Sequence, residues 1–184
     1  VSKSILRRVV NRLCHTLARA LPGSRSIRPL LHRARGVKLG KEVFIGDDVY
    51  LDNEYPECIE IQDRAQISIR SIIIAHTRGP GKVIIERDAF VGPNCVLICG
   101  AGKTLRIGQG AVIGAGCVVT RSIPLRLYVA SPSIRAVARV KVPLSTARTM
   151  AEFWAGLTPL DPPSGPASRK AGPSEEQKPL PAVS

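Results

Sequence analysis

Twelve aliphatic residues recur on one short period through the middle of the chain: Leu39, Ile45, Leu51; Ile61, Ile67, Ile73; Ile85, Val91, Leu97; Ile107, Ile113, Val119. The step is six residues within each group of three, and ten, twelve and ten between groups. Three hexads and a short insert make one coil, so the period predicts an all-β solenoid of about four coils rather than a layered domain.

The rest of the hexad agrees. Four residues after each aliphatic position stand Val43, Val49, Tyr55, Ala65, Ser71, Thr77, Ala89, Cys95, Ala101, Ala111, Cys117 and Ile123, most of them small. Glycine follows the aliphatic position directly at Gly40, Gly46, Gly92, Gly108 and Gly114. A large and a small apolar side chain thus alternate inward, with polar or flexible residues turning corners between short strands. An ordinary β-sandwich fits less well, since its strands alternate at two and its turns come every eight to twelve residues or so.

The flanks differ from the repeat. Residues 1–41 hold eleven basic side chains and no acid, which accounts for most of the net charge of +13. Ile5, Val9, Leu13, Leu17 and Leu21 recur every four residues, with Leu6 and Val10 alongside, so residues 3–21 are expected to form an amphipathic helix ended by Pro22 and Gly23. Three roles compete for it: a cap on the solenoid with its arginines in solvent, a membrane-surface contact, or an import or nucleic-acid arm. No apolar run approaches the ~20 residues a membrane span requires. The expected organisation is a basic helical segment at 1–36, the β-helix at 37–124, a covering segment and short helix at 125–157, and a Pro/Ser-rich disordered tail at 158–184. Within the third of these, residues 128–142 read as the cover and residues 145–157 as the helix, ending at Gly156 and anchored by Phe153 and Trp154.

Five cysteines show neither an even framework nor metal-ligand spacing, and Cys95 and Cys117 take the small inward position. This favours thiols in a reducing, cytoplasmic compartment and no metal site. With three Phe, three Tyr and one Trp in the chain, no nucleic-acid partner is expected.

His76 is the residue that breaks the pattern. It lies three positions after Ile73 and just before Gly79-Pro80-Gly81-Lys82, the longest insert, whereas the matching positions in the coils on either side hold Glu54 and Gly100. An imidazole at a corner beside a glycine-rich loop is placed to take a proton from a hydroxyl or amine near neutral pH.

Gly36 to Gly46, Ile73-Ile74-Ala75-His76-Thr77, Val91-Gly92-Pro93-Asn94-Cys95 and the stretch from Ile113 to Pro124 together resemble the hexapeptide-repeat acyltransferases, most nearly the maltose, galactoside and polysaccharide O-acetyltransferase group. The resemblance implies a left-handed parallel β-helix, a homotrimer, and an active site between neighbouring prisms where acetyl-CoA lies along the coils. It makes His76 the general base for direct attack of a sugar or glycan hydroxyl on the thioester. It also places Gly92, Pro93 and Ala115 on the coenzyme channel, and Thr120, Arg121 and Arg135 toward its nucleotide end, where guanidinium groups suit phosphates. Asp52, Asn53 and Glu54, on the coil below His76, are expected to face the acceptor. The sequence departs from the family's Gly-x-Pro turn with Ser131-Pro132-Ser133, and Lys103 to Arg106 lengthen a coil. The basic helix suits an enzyme at the inner face of a membrane. The alternative to an enzyme is a non-catalytic β-helix scaffold or binding trimer; a zinc hydratase of the same shape needs three converging histidines, and the repeat has one.

Overall fold

Eleven of the twelve periodic aliphatics are buried, and the twelfth, Leu39, packs against the same core. The computed structural model describes residues 5–132, 138–143 and 145–160. Its contacts divide the chain into two units, Val1–Pro132 and Ser133–Ser184.

The first unit is a parallel β-helix with three faces. The first face stacks β1 (Lys38–Leu39), β4 (Ile59–Ile61), β7 (Lys82–Ile85) and β10 (Thr104–Ile107). The second stacks β2 (Phe44–Ile45), β5 (Gln66–Ile67), β8 (Phe90–Val91), β11 (Val112–Ile113) and β13 (Tyr128–Val129). The third stacks β3 (Tyr50–Leu51), β6 (Ile72–Ile74), β9 (Val96–Ile98) and β12 (Val118–Val119). Strands this short hold because every ladder is parallel and in register, so each aliphatic sits on its counterpart one coil away: Leu51 pairs with Ile73, and Ile73 with Leu97.

The expectation that the solenoid pattern stops at Pro124 is corrected here. Ile123 still bridges Ile107, and β13 pairs with β11, so one further rung is laid on the second face within what was read as the covering segment. The small inward column is also corrected on one corner. Tyr55, Thr77 and Ala101 are not buried; Ala75 and Cys99, two residues after the aliphatic, fill the interior instead.

The corners explain the difference. Between the first and second faces Glu42, Arg64, Asp88 and Gly110 all take left-handed backbone, and between the second and third faces Asp48, Arg70, Asn94 and Gly116 do the same. Each such turn costs a non-glycine residue about 1 kcal/mol, and the amide ladder from coil to coil holds it in place. The third corner has no column through every coil: Arg78 and Gly102, each five residues after the aliphatic, have positive φ, as does Gly79, but the first and last coils have none there. There the glycine-rich insert folds back on itself, with His76 bridging Pro80 and the Gly81 N–H donating to the Ala75 carbonyl at 2.7 Å.

Two helices precede the first coil, α1 (Ile5–Ala20) and α2 (Ile27–Ala34). In an edge strand every second residue points its N–H and C=O away from the sheet, and those groups need partners. Three arginines supply donors, one per face. Arg33 reaches the carbonyls of Leu39 and Gly40, Arg28 that of Ile45 at 3.1 Å, and Arg35 those of Leu51 and Asp52 at 3.2 and 2.8 Å. Arg28 and Arg35, which follow the expected amphipathic helix in sequence, are buried. Burial pulls Arg35 down to about 10, still charged at neutral pH.

The second unit contains the antiparallel pair β14 (Ala138–Val140) and β15 (Leu157–Pro159), with α3 (Met150–Ala155) between them in sequence. The helix starts at Met150 rather than 145 because Thr149 caps it, its hydroxyl accepting from the Glu152 N–H at 3.1 Å while the Glu152 carboxylate accepts from the Arg148 N–H at 2.8 Å. Trp154, expected as an apolar anchor, is mostly exposed. Strand β15 carries ordered backbone past 157; the rest of the expected tail, from 161 on, lies outside the described residues.

Candidate active site on the third corner

Asp52 and His76 follow β3 and β6 on the same corner of adjacent coils. The register that stacks Leu51 under Ile73 puts Asp52 where the later coils carry Ile74 and Ile98, and its carboxylate is thereby drawn to 1 % exposure. One oxygen accepts from the backbone N–H groups of Glu54 and Tyr55 at 2.9 and 3.1 Å. The other accepts from the Ala75 N–H at 2.8 Å and meets His76 Nδ1 at 2.5 Å.

Burial works against the charge on Asp52, but the hydrogen bonds from His76 and from the amides of Tyr55, Ala75 and Glu54 outweigh it and hold the carboxyl below the usual aspartate range. An ionised carboxylate has no proton to give, so Nδ1 must carry the imidazole's hydrogen. That leaves Nε2 of neutral His76 with its lone pair free to accept a proton. The Tyr55 ring, 5.3 Å away at 56°, packs against the imidazole and limits its rotation.

His76 opens onto a groove of about 900 Å³ across the outer side of the third face. Its floor is Tyr50, Ile72 and Ile74; Arg70 and the Arg19–Asp48 ion pair lie along one edge, and His76, Thr77 and Arg78 along the other. Arg19 comes from α1, so the N-terminal segment forms part of the wall.

The other residues singled out by sequence fall into separate places. Asp52, expected to face the acceptor, faces His76 instead and is too buried for a ligand to reach. Asn53 is tied to the N-terminal helices, its carbonyl accepting from the Asn11 amide and its side chain lying 3.4 Å from Arg35. Glu54 is exposed beside them. Thr120 and Arg121 are exposed on the same corner as His76, two coils further along. Gly92, Pro93 and Ala115 lie across the third face on its opposite edge, where the Gly116 N–H donates to the Pro93 carbonyl at 2.9 Å. Gly92 is required there, since a Cβ would stand 2.6 Å from the Ile113 carbonyl oxygen. Arg135 lies outside the described residues. Tyr55, Arg70 and Arg78 were missed as site residues. For Asp52 a sequence signal did exist: it is polar where the next two coils place isoleucine.

His15 and His32 contrast with His76. They lie on α1 and α2, both buried, and burial, reinforced by Arg35, lowers His15 to about 4 and His32 to about 3. They are neutral packing groups. Among the described residues no cluster of three His, Cys, Asp or Glu side chains is arranged to hold a metal ion.

Residues 82–121 match the family model described as the hexapeptide repeat of succinyl-transferase. Over 106 residues the chain is 28 % identical to YvoF of Bacillus subtilis, whose name assigns it provisionally as an acetyltransferase; the match spans 55 % of this chain and 59 % of that one. It is 30 % identical over 112 residues to the bifunctional protein GlmU of Polaromonas naphthalenivorans, spanning 53 % of this chain and 23 % of GlmU. A third match, at 36 % over 55 residues, is to a 2,3,4,5-tetrahydropyridine-2,6-dicarboxylate N-acetyltransferase of Staphylococcus aureus, spanning 30 % of this chain and 21 % of that enzyme. The chain thus spans less than two thirds of each of these relatives. Fold and repeat together define the class: a parallel β-helix built on hexapeptide repeats. Residues 82–121 are thus similar to the repeat of the hexapeptide-repeat acyltransferases.

Proposed function

We propose that this protein is an acetyl-CoA-dependent O-acetyltransferase whose acceptor is a sugar or glycan hydroxyl. The observation that carries the reading is the His76–Asp52 pair at the mouth of the groove. A scaffold has no use for a buried carboxylate that three backbone amides hold against one partly exposed imidazole. His76 Nε2 takes the hydroxyl proton as the acceptor oxygen attacks the thioester carbonyl, and Asp52 stabilises the imidazolium that forms. When the tetrahedral centre collapses and the carbon–sulfur bond breaks, the proton returns to the departing thiolate, leaving His76 neutral for the next cycle.

Acetyl-CoA is held, in this reading, along the third face by Gly92, Pro93 and Ala115 on one edge and by Thr120 and Arg121 on the other, with Arg135 as a further phosphate contact. The far wall is supplied by a second copy of the chain in a homotrimer. The outward column of the third face supports this: Tyr50, Ile72, Val96 and Val118 stack in register, and Val118 is 67 % exposed. The first face, by contrast, presents the Lys82–Glu60 and Arg106–Glu86 ion pairs to solvent. All five cysteines are free thiols, which supports a cytoplasmic setting.

The test is release of free CoA from acetyl-CoA with a panel of neutral saccharides and amino sugars. The amino sugars belong in the panel because one relative is named an N-acetyltransferase. Turnover confined to hydroxyl acceptors, and abolished in His76→Ala, is the expected result. Turnover only with amines moves the acceptor class, and no turnover or CoA binding at all returns the scaffold reading.

A further inference from the structure

The helix α1 packs onto the solenoid with its less apolar side. Successive residues turn by about 100°, which sets Asn11, Cys14, His15 and Ala18 on one face and Ile5, Val9, Val10, Leu13 and Leu17 on the opposite one. The first face carries the contacts: Ala18 and His15 are buried, His15 stands edge-on to Tyr50 at 4.7 Å, and Asn11 Oδ1 accepts from Arg35 at 2.7 Å. The apolar face is left outside, with Ile5 80 %, Val9 58 % and Leu13 58 % exposed. Ile27 and Leu30 of α2 are exposed as well. Arg8 and Arg12 stand at one margin of the stripe, both exposed.

We propose that this stripe beds into the headgroup region of an anionic membrane surface, with the flanking arginines meeting lipid phosphates. Charge decides between the candidate occupants. Residues 1–41 contain eleven basic side chains and no acid, so a second copy offering the same surface would bring like charges together. An anionic bilayer supplies an apolar layer and negative charge at the same depth, which is the pattern of an interfacial amphipathic helix. Among the described residues no helix is long and apolar enough to cross a membrane, and this mode of contact requires none.

The position of α1 gives the contact a use. Arg19, on its last turn, lines the groove of His76, so a docked helix holds that groove beside the lipid surface. The acceptor class that follows is a glycan carried on a lipid; this consequence rests on the acetyltransferase reading, whereas the membrane contact does not.

The experiment is co-sedimentation of the full chain with vesicles of phosphatidylcholine alone or with about a third phosphatidylglycerol. Binding about tenfold or more stronger to the anionic vesicles, weakening as salt rises, is expected. The double variant Val9→Glu/Leu13→Glu should lose that binding by a similar factor, with its circular-dichroism melt, its mass by light scattering and its CoA release on a water-soluble acceptor all unchanged. Equal binding to both vesicle types, no binding, or binding that survives the double variant overturns the proposal. So does a change in oligomeric mass of the variant without lipid, which would make the stripe a subunit contact. If CoA release fails with every acceptor while vesicle binding stands, only the acetyltransferase reading and the acceptor consequence fall.

Discussion

Two corners of this prism repeat from coil to coil and the third does not. At the regular corners the backbone conformation recurs in every coil, and the residue type there hardly matters: Glu42, Arg64, Asp88 and Gly110 make the same turn. At the third corner the residues matter and the conformation varies. Regular corners set the spacing of the ladder, and the irregular corner places Asp52 beneath His76 with Tyr55 against it. Repetition fixes the frame, and departure from repetition marks the candidate site.

The sharpest way to break this contrast is at the irregular corner itself. His76→Ala is expected to lower the rate of CoA release by about a thousandfold, within the range of a lost general base, with only a modest fall in melting temperature from the hydrogen bond Asp52 loses. Gly92→Ala, on a regular edge, should act first on the fold. Its Cβ meets the backbone of the next coil at 2.6 and 2.8 Å, so a loss of about 3 kcal/mol or failure to fold is expected on thermal or urea unfolding. The matching change at the third corner, Gly100→Ala, has its nearest neighbour at 3.6 Å and should move stability by less than about 0.5 kcal/mol.

Asp52→Asn tests the pair. The amide keeps one acceptor oxygen, so either the Ala75 N–H and His76 or the Glu54 and Tyr55 N–H groups face its NH2 instead, and a rate loss of about a hundredfold is expected, with a changed pH–rate profile and modest destabilisation. A mere structural role for Asp52 would lower the melt and leave the pH profile alone.

The histidines extend the comparison to pH. His15 and His32 have folded-state values of about 4 and about 3, below the ordinary 6.5, so the unfolded chain binds more protons between those limits. Their neutral burial costs nothing above pH 6.5 and destabilises as pH falls below it, by about 2 kcal/mol for each at pH 5. Urea midpoints at pH 7.5 and 5 measure this, and His32→Gln should reduce the difference. The smallest effect belongs to a regular corner: Glu42→Gly relieves a left-handed residue at φ 54° and should stabilise by about 0.5 kcal/mol, net of the added freedom of the unfolded chain.

The solenoid was legible because its period marks each inward residue. Ile45, Ile67 and Ile113 need no tertiary information to be recognised as equivalent. His76 was legible for the opposite reason, as a titratable side chain where the period predicts none. Asp52 was visible as polar but misassigned: its bond to His76 depends on the register of β3 on β6 and on an insert that changes the coil length, neither of which the local sequence declares. The packing face of α1 was hidden for a related cause. Periodicity identifies the apolar side of a helix, and here the solenoid takes the other side.

The arginines beneath the first coil give the prism a direction. A bare end strand would present open carbonyls to the end of another molecule, and identical solenoids joined that way would grow into filaments. With Arg28, Arg33 and Arg35 already seated on those oxygens, this end is closed to polymer growth. The homotrimer proposed above uses no end contact, since it brings copies side by side, one copy's groove against another's wall.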